Sequence, residues 1–201
     1  MELFFDVDGV LLNFEHSFVD WLNQTYQLEL PANYETNSWY FDDVLTPEQL
    51  ENAWWDYLDS THAGELSTYV EAHHFNSHTA QRPVHLLTNF PNRHMDKRRQ
   101  NLLSHGFEFV EVHHCGLEPI EGVRPPTKSE KLSELRTPGL PALFVDDNPK
   151  NCLDVLENCP DVEVWLMTRR FNLDFEHPQI QRAESWRCLF TRLGELNTPA
   201  P

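Results

Sequence analysis

Cationic side chains are scarce in this 201-residue chain: 15 Lys and Arg stand against 32 Asp and Glu, a formal net charge of −17. Such a balance excludes a nucleic-acid polymer or an anionic membrane as the main partner, and an anionic small molecule would need cations gathered locally. Paired cysteines are also missing. Cys115, Cys152, Cys159 and Cys188 form no CxxC, which counts against a zinc or dithiol motif. A chain this long with no export signal does not depend on a disulfide framework. No apolar run approaches the roughly 20 residues of a membrane span. Met1-Glu2 lacks the basic segment of an export signal, so the cytoplasm is the expected compartment. Internal repeats and low-complexity tracts are absent as well.

What is present suits one core domain carrying an insertion. The 40% hydrophobic and 12% aromatic content is enough to fill a sizeable core. Short, near-continuous apolar runs at 3–7, 84–88, 107–112, 142–145 and 162–167 have the character of parallel strands buried on both faces. Helical stretches are expected at 93–105, 129–135 and 149–158, with a closing amphipathic helix over 179–196. This alternation predicts a doubly wound, Rossmann-like α/β fold built on a parallel sheet. Residues 15–79 break the alternation, with helical pieces expected at 15–26, 47–60 and 64–73. Thr46-Pro47-Glu48-Gln49 reads as a helix start, with Thr as N-cap and Pro in the first position. The expected division is therefore an α/β core from 1–14 and 80–201, with a small helical cap at 15–79. Aromatics crowd that insert (Trp39, Tyr40, Phe41, Trp54, Trp55 and Tyr57), either as its own core or as a grip on substrate.

Open α/β sheets bind ligands at the carboxyl ends of their strands. Here the first expected strand ends in Asp6-Val7-Asp8-Gly9, the second in Thr88-Asn89 and the fourth in Asp146-Asp147-Asn148, while Lys128 lies near a helix N-terminus ahead of the fourth. Each has an ordinary reading alone: a turn, a strand end, a helix N-cap, a solvated charge. Their joint placement along one sheet edge is the signal. Two acidic strand ends repel unless a cation lies between them, and oxygen-only ligands suit Mg²⁺. Residues two apart on a strand address the same side, so Asp6 and Asp8 can approach one group together. The eleven histidines include the doublets His73-His74 and His113-His114, whose adjacent side chains are expected to diverge and chelate poorly.

The stretches FFDVDGVLLNF, HLLTNF, PPTKSEKL and LFVDDNPKN resemble, in order and spacing, the four motifs of the haloacid dehalogenase superfamily of phosphohydrolases. The insert matches the position of that family's first type of cap, and residues 166–172 look like the segment that follows the fifth strand in some members. The resemblance implies Asp6 as a nucleophile that forms an aspartyl-phosphate, and Asp8 as general acid and then base. It implies Thr88, Asn89 and Lys128 around the phosphoryl group, with Lys131 and Arg124 as alternative cations. Asn92 and Arg93 also follow the second motif. It further implies Mg²⁺ held by Asp6, the backbone carbonyl of Asp8, and Asp146 or Asp147, with Asp147 favoured. Family dehalogenases do not use a second aspartate like Asp8 in this role, so phosphotransfer is expected: a phosphatase for a small phosphorylated metabolite, a nucleotide or a sugar phosphate. Part of the first motif and Asn37-Ser38-Trp39-Tyr40-Phe41 look somewhat like the 5′-nucleotidase branch. A phosphomutase using the same intermediate, or a non-catalytic binding protein, are the alternatives.

Overall fold

The computed structural model describes residues 1–31, 33–116 and 122–195. Six parallel strands form one sheet in the order β3-β2-β1-β4-β5-β6: β1 Glu2–Phe5, β2 Val84–Thr88, β3 Glu111–His114, β4 Ala142–Asp146, β5 Val162–Met167 and β6 Gln181–Ala183. Every neighbouring pair is parallel, with Phe5 opposite Leu86 on one side and Val145 on the other. This is the expected doubly wound α/β architecture.

Alternation along the strands builds two cores. Leu3, Phe5, Leu86, Leu143 and Val145 face one layer, where Leu102, Trp186, Leu189 and Leu193 meet them. Phe4, Leu87, Phe144, Val164 and Leu166 face the other, against Leu132, Cys152 and Val155. The covering helices on the first side are α3 Ala72–Thr79, α4 Met95–Ser104 and α7 Trp186–Glu195; on the second they are α5 Lys128–Leu135 and α6 Pro149–Asn158.

Between β1 and β2, α1 Phe14–Tyr26 and α2 Pro47–Asp59 share a third core of Phe18, Trp21, Leu22, Phe41, Tyr57 and Leu58. Thr46 caps α2 with the reciprocal Gln49 bonds of a capping box. Buried Phe41 and Tyr57, with Trp54 and Trp55 against them, belong to this small core, whereas Trp39 and Tyr40 are exposed. Within the expected 15–79 insert, Leu66, Val70 and Phe75 pack into the sheet's own core instead.

Four expectations shift. The third strand lies at Glu111–His114 rather than 107–112: Phe107 packs into the core just ahead of it, and the ladder begins where His85 meets Glu111. The helix expected at 64–73 forms at Ala72–Thr79, because Leu66 is held by Asn101 side-chain bonds and Leu12 bridges Thr68 in extended backbone. The closing helix begins only at Trp186, since Gln181–Ala183 adds a sixth strand beside β5. Finally, His73 and His74 do not diverge: their rings lie 4.0 Å apart in the first turn of α3, and with Glu71 they bring three ligand atoms within 4.8 Å, all exposed. Among the described residues no helix is long and apolar enough to cross a membrane.

Candidate active site

The strand order places β1 at the centre, with β2 and β4 on either side, so the chain reverses direction across the sheet there. Ligand crevices form at such points, outside the carboxyl ends of the strands. Asp6 follows β1, its amide donating to Val145 O at 2.8 Å. Val7 O then accepts from both Leu11 and Leu12, folding the chain into a tight loop. Gly9 makes that loop possible at φ +82°, and a Cβ there would fall 1.7 Å from Asp147 Oδ2. The close approach of the two loops therefore requires glycine.

Lys128 is the first residue of α5, after the Thr127 capping box. A cation at a helix N-terminus works against the helix dipole. Two carboxylates offset that here: Lys128 Nζ donates to Asp6 Oδ1 at 2.5 Å and to Asp146 Oδ2 at 2.7 Å. All three groups are buried. Burial disfavours the Lys128 charge, yet Asp146 and Asp6 more than offset it and push the ammonium above its ordinary range. The other two cations of this region are engaged elsewhere, Arg124 with Glu130 and Lys131 with Glu134 at 2.6 Å.

Asp146 is saturated. Beyond Lys128, its carboxylate accepts from Asn148 N at 2.8 Å and from Asn151 Nδ2 at 3.1 and 3.2 Å. Asn148 is also the N-cap of α6, followed by Pro149, so this stretch serves as helix start as well as acidic strand end. Asp147 differs: its Oδ1 is buried without a hydrogen-bond partner, while its backbone carbonyl accepts from Asn172 Nδ2 at 2.7 Å. Oxygens of Asp6, Asp146 and Asp147 all lie within 4.8 Å of one another. Burial, opposed by Lys128 and reinforced by Asp146, pushes Asp6 up to about 8. Burial with Asp6 and Asp146 nearby raises Asp147 in the same direction. A hard divalent cation fits this cluster: it is oxygen-only, it has one orphaned carboxylate oxygen, and it carries more buried negative charge than one lysine offsets.

Asp8 stands on the other side of the loop. Thr88 Oγ1 lies 3.5 Å from its Oδ2, and Thr88 in turn accepts from Phe90 N at 3.1 Å. The sequence reading did not single out Arg98 from α4, whose Nε and Nη2 reach Asp8 Oδ2 and Oδ1 at 3.1 and 2.9 Å. No local signal marks it, since Met95-Asp96-Lys97-Arg98-Arg99 reads as a charged surface helix. Burial raises Asp8 above the ordinary carboxylate range, and Arg98 pulls it back. Asn89 does not join the carboxylates; its side chain packs against Gly116, where a Cβ would come within 2.8 Å of Asn89 Nδ2. Arg93 lies over the Trp55 ring at 4.4 Å.

The segment after β5 contributes Arg169, whose Nε donates to Gly9 O at 2.8 Å and whose guanidinium stacks on Tyr69 at 3.8 Å. Asn172 ties Asp147 O to Met167 O. The insert closes on this edge: Arg170 Nε donates to Asn37 Oδ1 at 2.6 Å, Trp39 meets Phe171 edge-on, and Lys150 lies beside Tyr40.

No family model matches the sequence, and no curated protein matches it either. Solved structures do match. A haloacid dehalogenase-like hydrolase, SP0104 from Streptococcus pneumoniae, superposes with a TM-score of 0.64 at 15% identity, over 95% of this chain and 97% of that one. L-2-haloacid dehalogenase from Xanthobacter autotrophicus gives a TM-score of 0.60 at 14% identity, over 98% and 99% of the two chains. The Bacillus subtilis protein YfnB, solved bound to magnesium, gives 0.54 at 16% identity, over 96% and 98%. The chain has the haloacid dehalogenase-like fold along most of its length.

Proposed function

We propose that this protein is a Mg²⁺-dependent phosphatase for small phosphate monoesters, acting through an aspartyl-phosphate on Asp6. The observation that carries the reading is the buried Asp6–Lys128–Asp146 triad beside Asp147, which has an orphaned oxygen. Phosphoryl transfer gains most from positioning and from neutralised charge, and this cluster supplies both.

In the proposed reaction an Asp6 oxygen attacks phosphorus. The bond from phosphorus to the ester oxygen breaks, and that oxygen takes the electron pair together with a proton from Asp8. Water then attacks the aspartyl-phosphate and gives its proton to Asp8, and the bond to Asp6 breaks to release inorganic phosphate. Splitting one displacement into two lowers each barrier. Thr88, whose Oγ1 lies 3.5 Å from Asp8 Oδ2, would donate to a phosphoryl oxygen. Lys128 opposes the burial that raises Asp6 to about 8, and so favours the ionised, nucleophilic form. Asp6, the Asp8 backbone carbonyl and Asp147 would hold Mg²⁺, with Asp146 acting through Lys128. The ion would supply charge neutralisation for the phosphoryl oxygens. Asp8, buried enough to rise above the ordinary carboxylate range, suits proton transfer to an alkoxide rather than halide displacement.

Phosphate release from a panel of nucleoside monophosphates and sugar phosphates, with Mg²⁺ and with EDTA, tests the reading. Release that needs Mg²⁺ and vanishes in Asp6→Asn supports it. Turnover of para-nitrophenyl phosphate by Asp6→Asn at the wild-type rate overturns the nucleophile assignment. An isomerised sugar phosphate without free phosphate replaces hydrolysis with mutase chemistry.

A further inference from the structure

Arg98 is the largest of the fully buried side chains among the described residues, and it is charged. Burying a guanidinium is costly unless each face and edge is matched. Its Nε donates to Asp8 Oδ2 at 3.1 Å, its Nη2 forms an ion pair with Asp8 Oδ1 at 2.9 Å, its Nη1 donates to Ala63 O at 2.5 Å, and its plane lies 3.8 Å over the Phe90 ring. Three parts of the molecule therefore meet on one side chain: the loop after β1, the short turn His62–Gly64 of the insert, and the segment after β2.

We infer that Arg98 is the positioning residue of Asp8, aiming its carboxylate at the leaving-group oxygen. The inference rests on the phosphatase reading and goes beyond it by assigning a residue that acts on bond cleavage without touching substrate. A planar fork fixes the rotation of a carboxylate in a way that a point charge does not. Arg98 is fully buried, whereas the Asp8 side chain keeps 20% of its surface exposed, so the pair has a sealed side and an open side. Asp8 Oδ1 is itself buried, 2.9 Å from Nη2 as an ion pair without a hydrogen bond, so the exposed surface of the side chain lies away from Oδ1. Oδ2 accepts from Nε, lies toward Thr88 and offers its remaining lone pair to the transferred proton. The proton on Asp8 passes to the ester oxygen as the P–O bond breaks, and Asp8 is left as the carboxylate that Arg98 already pairs.

A buried arginine that merely held the fold together would lower activity on every substrate alike. One that aims a general acid matters most where the leaving group is poor, because a good leaving group departs with little protonation. The experiment compares kcat/KM for phenyl phosphate and para-nitrophenyl phosphate, two esters of nearly the same shape. It uses the full chain with Mg²⁺ and the wild type, Arg98→Met, Arg98→Lys, Asp8→Asn and the double variant Asp8→Asn/Arg98→Met. The expected result for Arg98→Met is a loss of about 100-fold on phenyl phosphate and at least about tenfold less on para-nitrophenyl phosphate. Arg98→Lys keeps a buried cation but loses the fork, and shows the same selective loss should the Met variant not fold. The double variant is no worse than Asp8→Asn alone, since both act through one group. Equal losses on the two esters, or losses that multiply in the double variant, overturn the role of Arg98 and leave the phosphatase reading intact. A wild-type protein that hydrolyses neither ester overturns both.

Discussion

Lys128 Nζ lies 2.5 Å from Asp6 Oδ1 although 122 positions separate the two residues, and the same nitrogen reaches Asp146. Removing it leaves two buried carboxylates facing each other. Lys128→Met is expected to destabilise the protein by about 3–5 kcal/mol, the usual cost of stranding buried charge. Urea unfolding measures it, and a loss below about 1 kcal/mol would show that the pair is not buried as described.

Asp6→Asn removes one negative charge from a cluster with too many. The variant is expected to fold with no loss of secondary structure while phosphate release falls at least about 10³-fold. Circular dichroism beside the release assay checks both halves, and a folded variant with near-wild-type turnover would refute the assignment.

Burial raises Asp6 to about 8, above its ordinary value of ~3.9. Folding thus favours the protonated acid, whose contribution to stability is whole below about pH 4 and is lost as pH rises through about 8. Asp147 is shifted the same way. The EDTA-treated protein should therefore melt at a lower temperature at about pH 8 than at about pH 6, and Mg²⁺ should raise Tm more at the higher pH. Differential scanning calorimetry decides; an equal Mg²⁺ effect at both pH values would count against an ion among these carboxylates.

Gly9→Ala puts a methyl group where Asp147 Oδ2 now stands, at a backbone φ of +82°. The expected cost is about 1–3 kcal/mol, together with weaker Mg²⁺ stabilisation, because Asp147 must withdraw. Isothermal calorimetry with Mg²⁺ would reveal unchanged affinity if Asp147 plays no part.

The apolar runs that became β1, β2, β4 and β5 were legible because burial on both faces demands them of neighbouring residues. Helix starts at Thr46 and Asn148 were equally local, since a cap is a contact across two or three positions. Gln181–Ala183 was not legible as a strand: three residues carry too little pattern, and pairing with β5 creates the strand.

The sequence by itself determined the fold class and the acidic strand ends, because period, apolar content and the spacing of Asp6 and Asp8 are properties of adjacent residues. Tertiary structure alone decided which cation faces Asp6, which of Asp146 and Asp147 keeps a free oxygen, and that Arg98 grips Asp8 across 90 positions. Those outcomes depend on the strand order that brings β1, β4 and the flanking helices to one edge, where burial makes each charge seek its partner.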